Sequence, residues 1–320
     1  MHHLFTSRRA FLGYGLASLA LPSLAAGESQ LRIVFPFNAG SGVDATARGL
    51  ADALRVGAGR NAFVDNKAGG GGVIGALEVV RAAPDGNTVL FNTGAHTTNA
   101  VLMRKLPYDP LNSFTPITMV GRGIGWVLAV GPNSPYKSLP EFLDAARKAP
   151  NRLTYGSSGI GGSTHVMAAL FCKAAGIELT HVPYKGAPIT DLMSGVVDSS
   201  FQSVSSLIEM FRTNRLRPLG VSSNRRIPQL PDVPTFKEFG IDANLPGWTG
   251  IFAPAKTPPE VVDSLYKDFV KAGQVKAFLD QANLAGSEIV MMPPGEFRTY
   301  LVQEMATYKR ILPPLGIQLD

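Results

Sequence analysis

VFPFNAGSGVDATARGL, residues 34–50, decides the fold. Its apolar start reads as a buried strand, its glycines as a turn, and Val43, Ala47, Leu50 and Leu54 as one stripe of a helix. Gly40 and Gly42 let the backbone turn with positive φ and approach a ligand closely. Ser41 followed three residues later by Asp44 resembles a capping box. The free N–H groups of the first helical turn then face an anion, with the helix dipole behind them. Asp44 is expected to organise the loop's own amides, since two anions repel. Taken alone, the same pattern also fits a plain strand-to-helix connection. A phosphate loop usually brings a lysine or arginine. None stands between Phe37 and Asp44, and Arg48 lies a full turn further along the helix. The stretch therefore points to a carboxylate, held by the amides around Ala39, Gly40, Ser41, Gly42 and Val43 and by the Ser41 hydroxyl, with Phe37 and Asn38 beside them in the same loop.

Working outward, strands and helices alternate. LRIVFPF, AFVDN and TVLF read as strands, separated by the helices VDATARGLADALR and GVIGALEVVRAA. This order predicts a mostly parallel sheet covered by helices. The pattern restarts at WVLAVG, and RLTYGS, LTHVPY, VDSSFQS and LRPLGVSS supply further strands. The chain returns through LPGWTGIFAPA and ends in helical stretches expected to cover the first sheet. The expected architecture is α/β, with two lobes joined by two crossings near Trp126 and Trp248 and a ligand cleft between them. The first lobe is placed at 27–128 and 250–320, the second at 129–249.

YGSSGIGGSTH repeats the opening device in the second lobe. Ser157, Ser158, Ser163 and Thr164 offer hydroxyls, and Gly161 an exposed amide. Ligands of such sheets sit at the strand C-terminal ends, so the two loops should face each other across the cleft. NTGAHTTN is a third candidate, with Thr93, Ala95 and His96, and equally fits a solvated turn. Gly70, Gly72 and Gly75 spell G-x-G-x-x-G, but four residues separate them from the strand and the next strand ends in Asn92. That segment reads as a turn with close helix packing, not a dinucleotide site. GSSGIG lacks nucleophile-elbow spacing because Ile160 stands where the last glycine should be. His96, His165 and His181 have no triad-like acid, and no metal-binding spacing occurs. No cofactor is expected, and an exported serine hydrolase using the YGSSG loop is the weakest of the alternatives.

The 320 residues are 45% apolar and 17% charged, enough for two ordinary domains. The formal charge of +6 is spread without a basic run, which suits anionic small molecules and excludes a nucleic-acid stripe. Residues 1–26 read as an export signal: Arg8 and Arg9, then an apolar run from Phe11 to Leu21 too short to span a bilayer, then small residues before Gly27. The twin arginine in SRRAFL resembles the Tat signal, with Sec export the alternative. Cleavage there would lower the formal charge from +6 to +4 and leave a periplasmic protein. The lone Cys172, on an apolar helical face, reads as core.

FPFNAGSGVDATAR, VDNKAGGGGVIGALEVVRAAPDGNTVLF, KLPYDPLNSFTPIT, YGSSGIGGSTH, HVPYKGAP, LPDVPTFKEFG and WTGIFAPAKTP, in this order, carry a resemblance over essentially the whole chain after residue 26. The sequence resembles the Bug family of extracytoplasmic solute receptors, of the tripartite tricarboxylate transporter class. The resemblance implies a type II-like periplasmic binding protein that closes on its ligand without catalysis. It also implies that the loops Phe37–Asp44 and Ser157–His165 grip carboxylates through amides, hydroxyls and waters. Membrane permease subunits are the implied partners, and a sensor kinase is the alternative recipient. The sequence departs from the family's P-x-G-G at Asn38, Ala39 and Gly40. It also carries Gln202 where the family commonly has an aspartate able to hold an ammonium group. Gln202 cannot supply that charge, which argues against amino-acid cargo.

Overall fold

The computed structural model describes residues 30–245 and 247–317, so the expected export signal lies outside the described residues. β1 (Leu31–Phe35) is buried except at Arg32 and lies parallel to β2 (Ala62–Asn66) on one side and β3 (Thr88–Thr93) on the other. A strand covered on both faces needs such an apolar run. Arg32 pairs with Asp65 at 2.6 Å and also with Glu78. α1 (Gly42–Ala58) lays Ala47, Leu50 and Leu54 on the sheet and stops at Gly59, in the left-handed conformation.

The sheet is mixed rather than mostly parallel. It also contains β4 (Phe114–Gly123), β10 (Trp248–Pro254) and β11 (Ser287–Met292), in the order β11-β4-β10-β3-β1-β2. β10 runs antiparallel to both β3 and β4 because it enters from the cleft end, on its return from the other lobe. β11 gives the C-terminal helices α8 (Pro259–Gly273) and α9 (Lys276–Leu284) a strand of their own, which the sequence pattern did not suggest.

The second sheet has five strands, β5 (Trp126–Val130), β6 (Thr154–Ser157), β7 (Thr180–Pro183), β8 (Ser199–Ser203) and β9 (Arg217–Val221), in the order β7-β6-β8-β5-β9. Phe142, Phe171, Phe201 and Phe236 fill one face; Leu192, Val204, Leu207 and Val221 fill the other. Truncating one of these rings to alanine costs about 3–5 kcal/mol.

Two strand-to-strand crossings join the lobes, and the last long helix bridges them as well. One passes from β4 to β5 through Ile124 and Gly125, the other from β9 to β10. They touch: Gly123 N–H donates to the Gly247 carbonyl at 2.8 Å, and Trp126 Nε1–H to the Leu245 carbonyl at 2.6 Å. The sequence boundaries at 128 and 249 fall inside strands, because each strand starts with its tryptophan, buried in place. α10 (Pro294–Ile311) corrects the assignment of residues 250–320. Its Phe297 and Leu301 pack in the first lobe, while Tyr308, Leu312 and Ile317 pack in the second. A helix of 18 residues is about 27 Å long and can reach both.

Candidate functional site

β1, β3, β6 and β8 all end at the gap between the lobes. A cavity of about 690 Å³ and a deeper one of about 450 Å³ meet there, sharing Ser41, Thr93, Ala95, Ser158, Ser163 and Thr164. No charged side chain lines either cavity among the described residues.

On the first lobe, Ser41 is the N-cap of α1, and its Oγ accepts Asp44 N–H at 3.1 Å. Asp44 is buried and turned into the loop. It accepts Gly40 N–H at 3.0 Å, Arg48 Nε–H at 3.0 Å and Asn66 Nδ2–H at 2.9 Å. Burial raises its pKa, but the hydrogen bonds from Asn66, Gly40 and Arg48 outweigh this and hold the carboxyl below its ordinary value. Asp44 and Arg48 thus neutralise each other outside the cavity lining. The N–H groups of Gly42 and Val43 have no acceptor among the described residues and open on the cleft.

On the second lobe, α5 (Ser163–Ala175) starts after Gly162 with no side-chain cap. Thr164 Oγ1 accepts Ser158 N–H at 2.9 Å, which leaves the hydroxyl proton for a ligand. Gly161 N–H donates to His165 Nδ1 at 3.0 Å. Burial, then the neighbouring His181, hold the His165 pKa down to about 4, so this acceptor is available at neutral pH. The rings of His165 and His181 stack 3.9 Å apart. Two helix N-termini of opposite lobes therefore converge on one neutral, donor-rich space.

Phe37, Asn38, Ser41, Thr93, Ala95, Ser158, Gly161, Ser163, Thr164 and Gln202 line the cleft. Four expected residues do not. Ala39 and Gly40 point to solvent, and the Gly40 amide is taken by Asp44. Ser157 is fully buried, with its hydroxyl on His181 Nε2 at 2.6 Å and on the Gly159 carbonyl, so it braces the loop. His96 is fully buried, donating from Nε2 to the Pro110 carbonyl at 2.8 Å and stacking 4.4 Å from Phe252. Burial brings its pKa down to about 4. NTGAHTTN is not a turn but the start of α3 (Ala95–Leu102), whose helical period turns His96 inward.

Other lining residues were missed. Gly69–Gly72 all have positive φ and form a wall of the larger cavity, where Asn99 Nδ2–H donates to the Gly71 carbonyl at 2.9 Å. The glycine run was a visible signal, but it reads as a turn until the fold places it. The close helix packing expected there is real at Gly75, where a Cβ would lie 2.9 Å from the Lys67 carbonyl and Pro36. Trp126, Trp248 and Tyr308 line the deeper cavity and come from separate elements, which no local motif reveals.

The family described as tripartite tricarboxylate transporter family receptor matches residues 46–317. A protein of Pseudomonas sp. strain P51, named only for the tcbD-tcbE intergenic region, is 38% identical over 246 residues, covering 75% of this chain and 72% of its own. Among solved structures, periplasmic binding protein BugD superposes with a TM-score of 0.83 at 28% identity, over 91% of this chain and 99% of its own. An R. palustris protein solved with adipate gives a TM-score of 0.83 at 30% identity, over 90% and 98%. With two α/β lobes of the type II-like periplasmic binding fold and a match over most of its length, this chain belongs to the tripartite tricarboxylate transporter receptor family.

Proposed function

We propose that this chain is a solute-binding receptor that captures an organic carboxylate or dicarboxylate in the periplasm and delivers it to membrane permease subunits. The carrying observation is the cleft itself. Two helix N-termini and several hydroxyls face one another, with no charged side chain in the lining among the described residues. A carboxylate spreads its charge over two oxygens that two to four neutral donors satisfy, and such donors release it more readily than an arginine fork. The R. palustris relative solved with adipate supports the same ligand chemistry. Gly42, Val43, Ser41, Ser158, Ser163 and Thr164 are the proposed carboxylate grip, with Phe37, Asn38, Thr93, Ala95, Gly161 and Gln202 around it. The two lobes act as the closing jaws, and the crossings at Trp126 and Trp248 as their hinges. Residues 1–26 act as a Tat-type export signal cleaved near Gly27.

The family is a receptor class, and catalysis is not proposed. In YGSSG, the serine that meets a histidine, Ser157, is fully buried and out of reach of a substrate carbonyl. No feature favours a sensor kinase over a permease as recipient.

Titration calorimetry of the mature protein against a panel of carboxylic acids tests the reading. Stoichiometric, saturable binding of at least one acid is expected. A ligand at 100 times its Kd should add about 2.7 kcal/mol to stability. Binding of sugars or amines with none of the acids would refute it.

A further inference from the structure

Three large aromatic side chains, Trp126, Trp248 and Tyr308, line the deeper cavity. Each carries one polar hydrogen, and all three are used within the protein. Trp126 Nε1–H donates to the Leu245 carbonyl at 2.6 Å, Trp248 Nε1–H to Glu304 at 2.9 Å, and Tyr308 O–H to Glu304 at 3.1 Å. Glu304 is buried in α10 and also meets the hydroxyls of Thr97 and Tyr300, so it draws these hydrogens away from the cleft. The polar groups beside the aromatics are partly committed as well. Ser206 O–H donates to the Ser203 carbonyl at 2.8 Å, and Gln202 uses an amide hydrogen on Ser200 at 2.9 Å. The cleft therefore has two unlike regions. One holds the open N–H groups at the starts of α1 and α5. The other presents indole and phenol surface whose own polar hydrogens are already taken, with Thr249 and Ser287 also in the lining.

We infer that the cleft selects monocarboxylates with an uncharged, apolar tail, and that the tail lies against Trp126, Trp248 and Tyr308. This rests on the carboxylate reading above and narrows it. A second carboxylate placed against these three rings would lose its water without gaining a hydrogen bond from them, a costly transfer. An alkyl or aryl tail there loses only apolar hydration, which favours binding.

Hexanoate and adipate have six carbons each and differ by the second carboxylate, so calorimetry of both on the mature protein isolates the point. Hexanoate should bind at least tenfold more tightly than adipate. Both tryptophans of the chain line this wall, so their emission reports the tail directly. It should shift on titration with hexanoate or 3-phenylpropanoate, saturating at the calorimetric Kd. Equal or tighter binding of adipate overturns the inference, with the second carboxylate then held elsewhere, such as the Gly69–Gly72 wall. Tight hexanoate binding without any change in emission also overturns it. If neither monocarboxylate binds while other acids of the panel do, the inference falls and the carboxylate reading stands. If no acid binds, both fall.

Discussion

Replacing Ser41 separates the ligand from the fold. Ser41 does two jobs: it caps α1 through Asp44 N–H at 3.1 Å, and it faces the cleft. Asparagine and aspartate are as good at an N-cap as serine, whereas alanine costs roughly 0.5–2 kcal/mol there. Ser41→Asn and Ser41→Asp should therefore leave thermal stability near that of the native protein, and Ser41→Ala should lower it. Affinity should follow a different order. Ser41→Ala removes one neutral donor, worth about 0.5–1.5 kcal/mol. Ser41→Asp puts an anion within about 4 Å of the bound carboxylate. At an effective dielectric constant of about 20, that repulsion is roughly 4 kcal/mol, or about three decades in Kd. Ser41→Asn adds the same bulk without the charge and should cost at most about tenfold, the scale of one neutral hydrogen bond. Calorimetry with the best acid of the panel, alongside thermal unfolding of each variant, reads both orders. If Ser41→Asp binds that acid as tightly as Ser41→Asn does, the carboxylate does not sit at the start of α1 and the reasoning fails.

Three further outcomes are expected. Replacing Arg8 and Arg9 with lysine should stop export, and mass spectrometry of native periplasmic protein should find its N-terminus within a few residues of Gly27; normal periplasmic yield of the variant would sink the Tat assignment. Small-angle scattering should record a smaller radius of gyration at saturating ligand, since the touching crossings allow the lobes to close; an unchanged radius with binding confirmed would mean a rigid cleft. His96, held neutral with its pKa down to about 4 against an ordinary 6.5, takes up a proton on unfolding first. Its contribution is therefore complete above pH 6.5 and is lost as pH falls from 6.5 toward 4, by about 1.4 kcal/mol per pH unit; His96→Gln should flatten that part of the stability curve measured by denaturant unfolding, and an unchanged slope would refute this.

What could be read from the sequence follows a physical divide. The β1-turn-α1 unit is local: an apolar run, glycines and a capping pair sit in sequence order, so the chain alone specifies them. β4 is harder to see because Pro116, Gly121 and Gly123 interrupt it, and pairing with β10 and β11 on either side holds it as a strand. α3 is rich in threonine and asparagine, poor helix formers, and it is held by contacts with α10 such as Thr97 to Glu304. The two loops that face each other across the cleft were legible because a helix start supplies its own donors. The aromatic wall was not, since Trp126, Trp248 and Tyr308 converge from both crossings and α10. His96 was misplaced because a whole loop was taken as facing the ligand, whereas the segment is helical and its rotation carries the His96 side chain into the core.

The reach of α10 has a consequence for how the chain is made. Leu265, Phe269, Phe297 and Leu301 complete the first core, and Tyr308, Leu312 and Ile317 the second. Those of α10 and the segment after it, Phe297 to Ile317, leave the ribosome after the other buried residues of these clusters. Neither lobe can close its interior before these residues have been made, so a nascent chain of this protein keeps two unfinished cores exposed until α10 has emerged. Any chaperone that guards it must wait for the same few residues, and a shortened product ending before Tyr308 would leave the second lobe open even though every strand of its sheet is present.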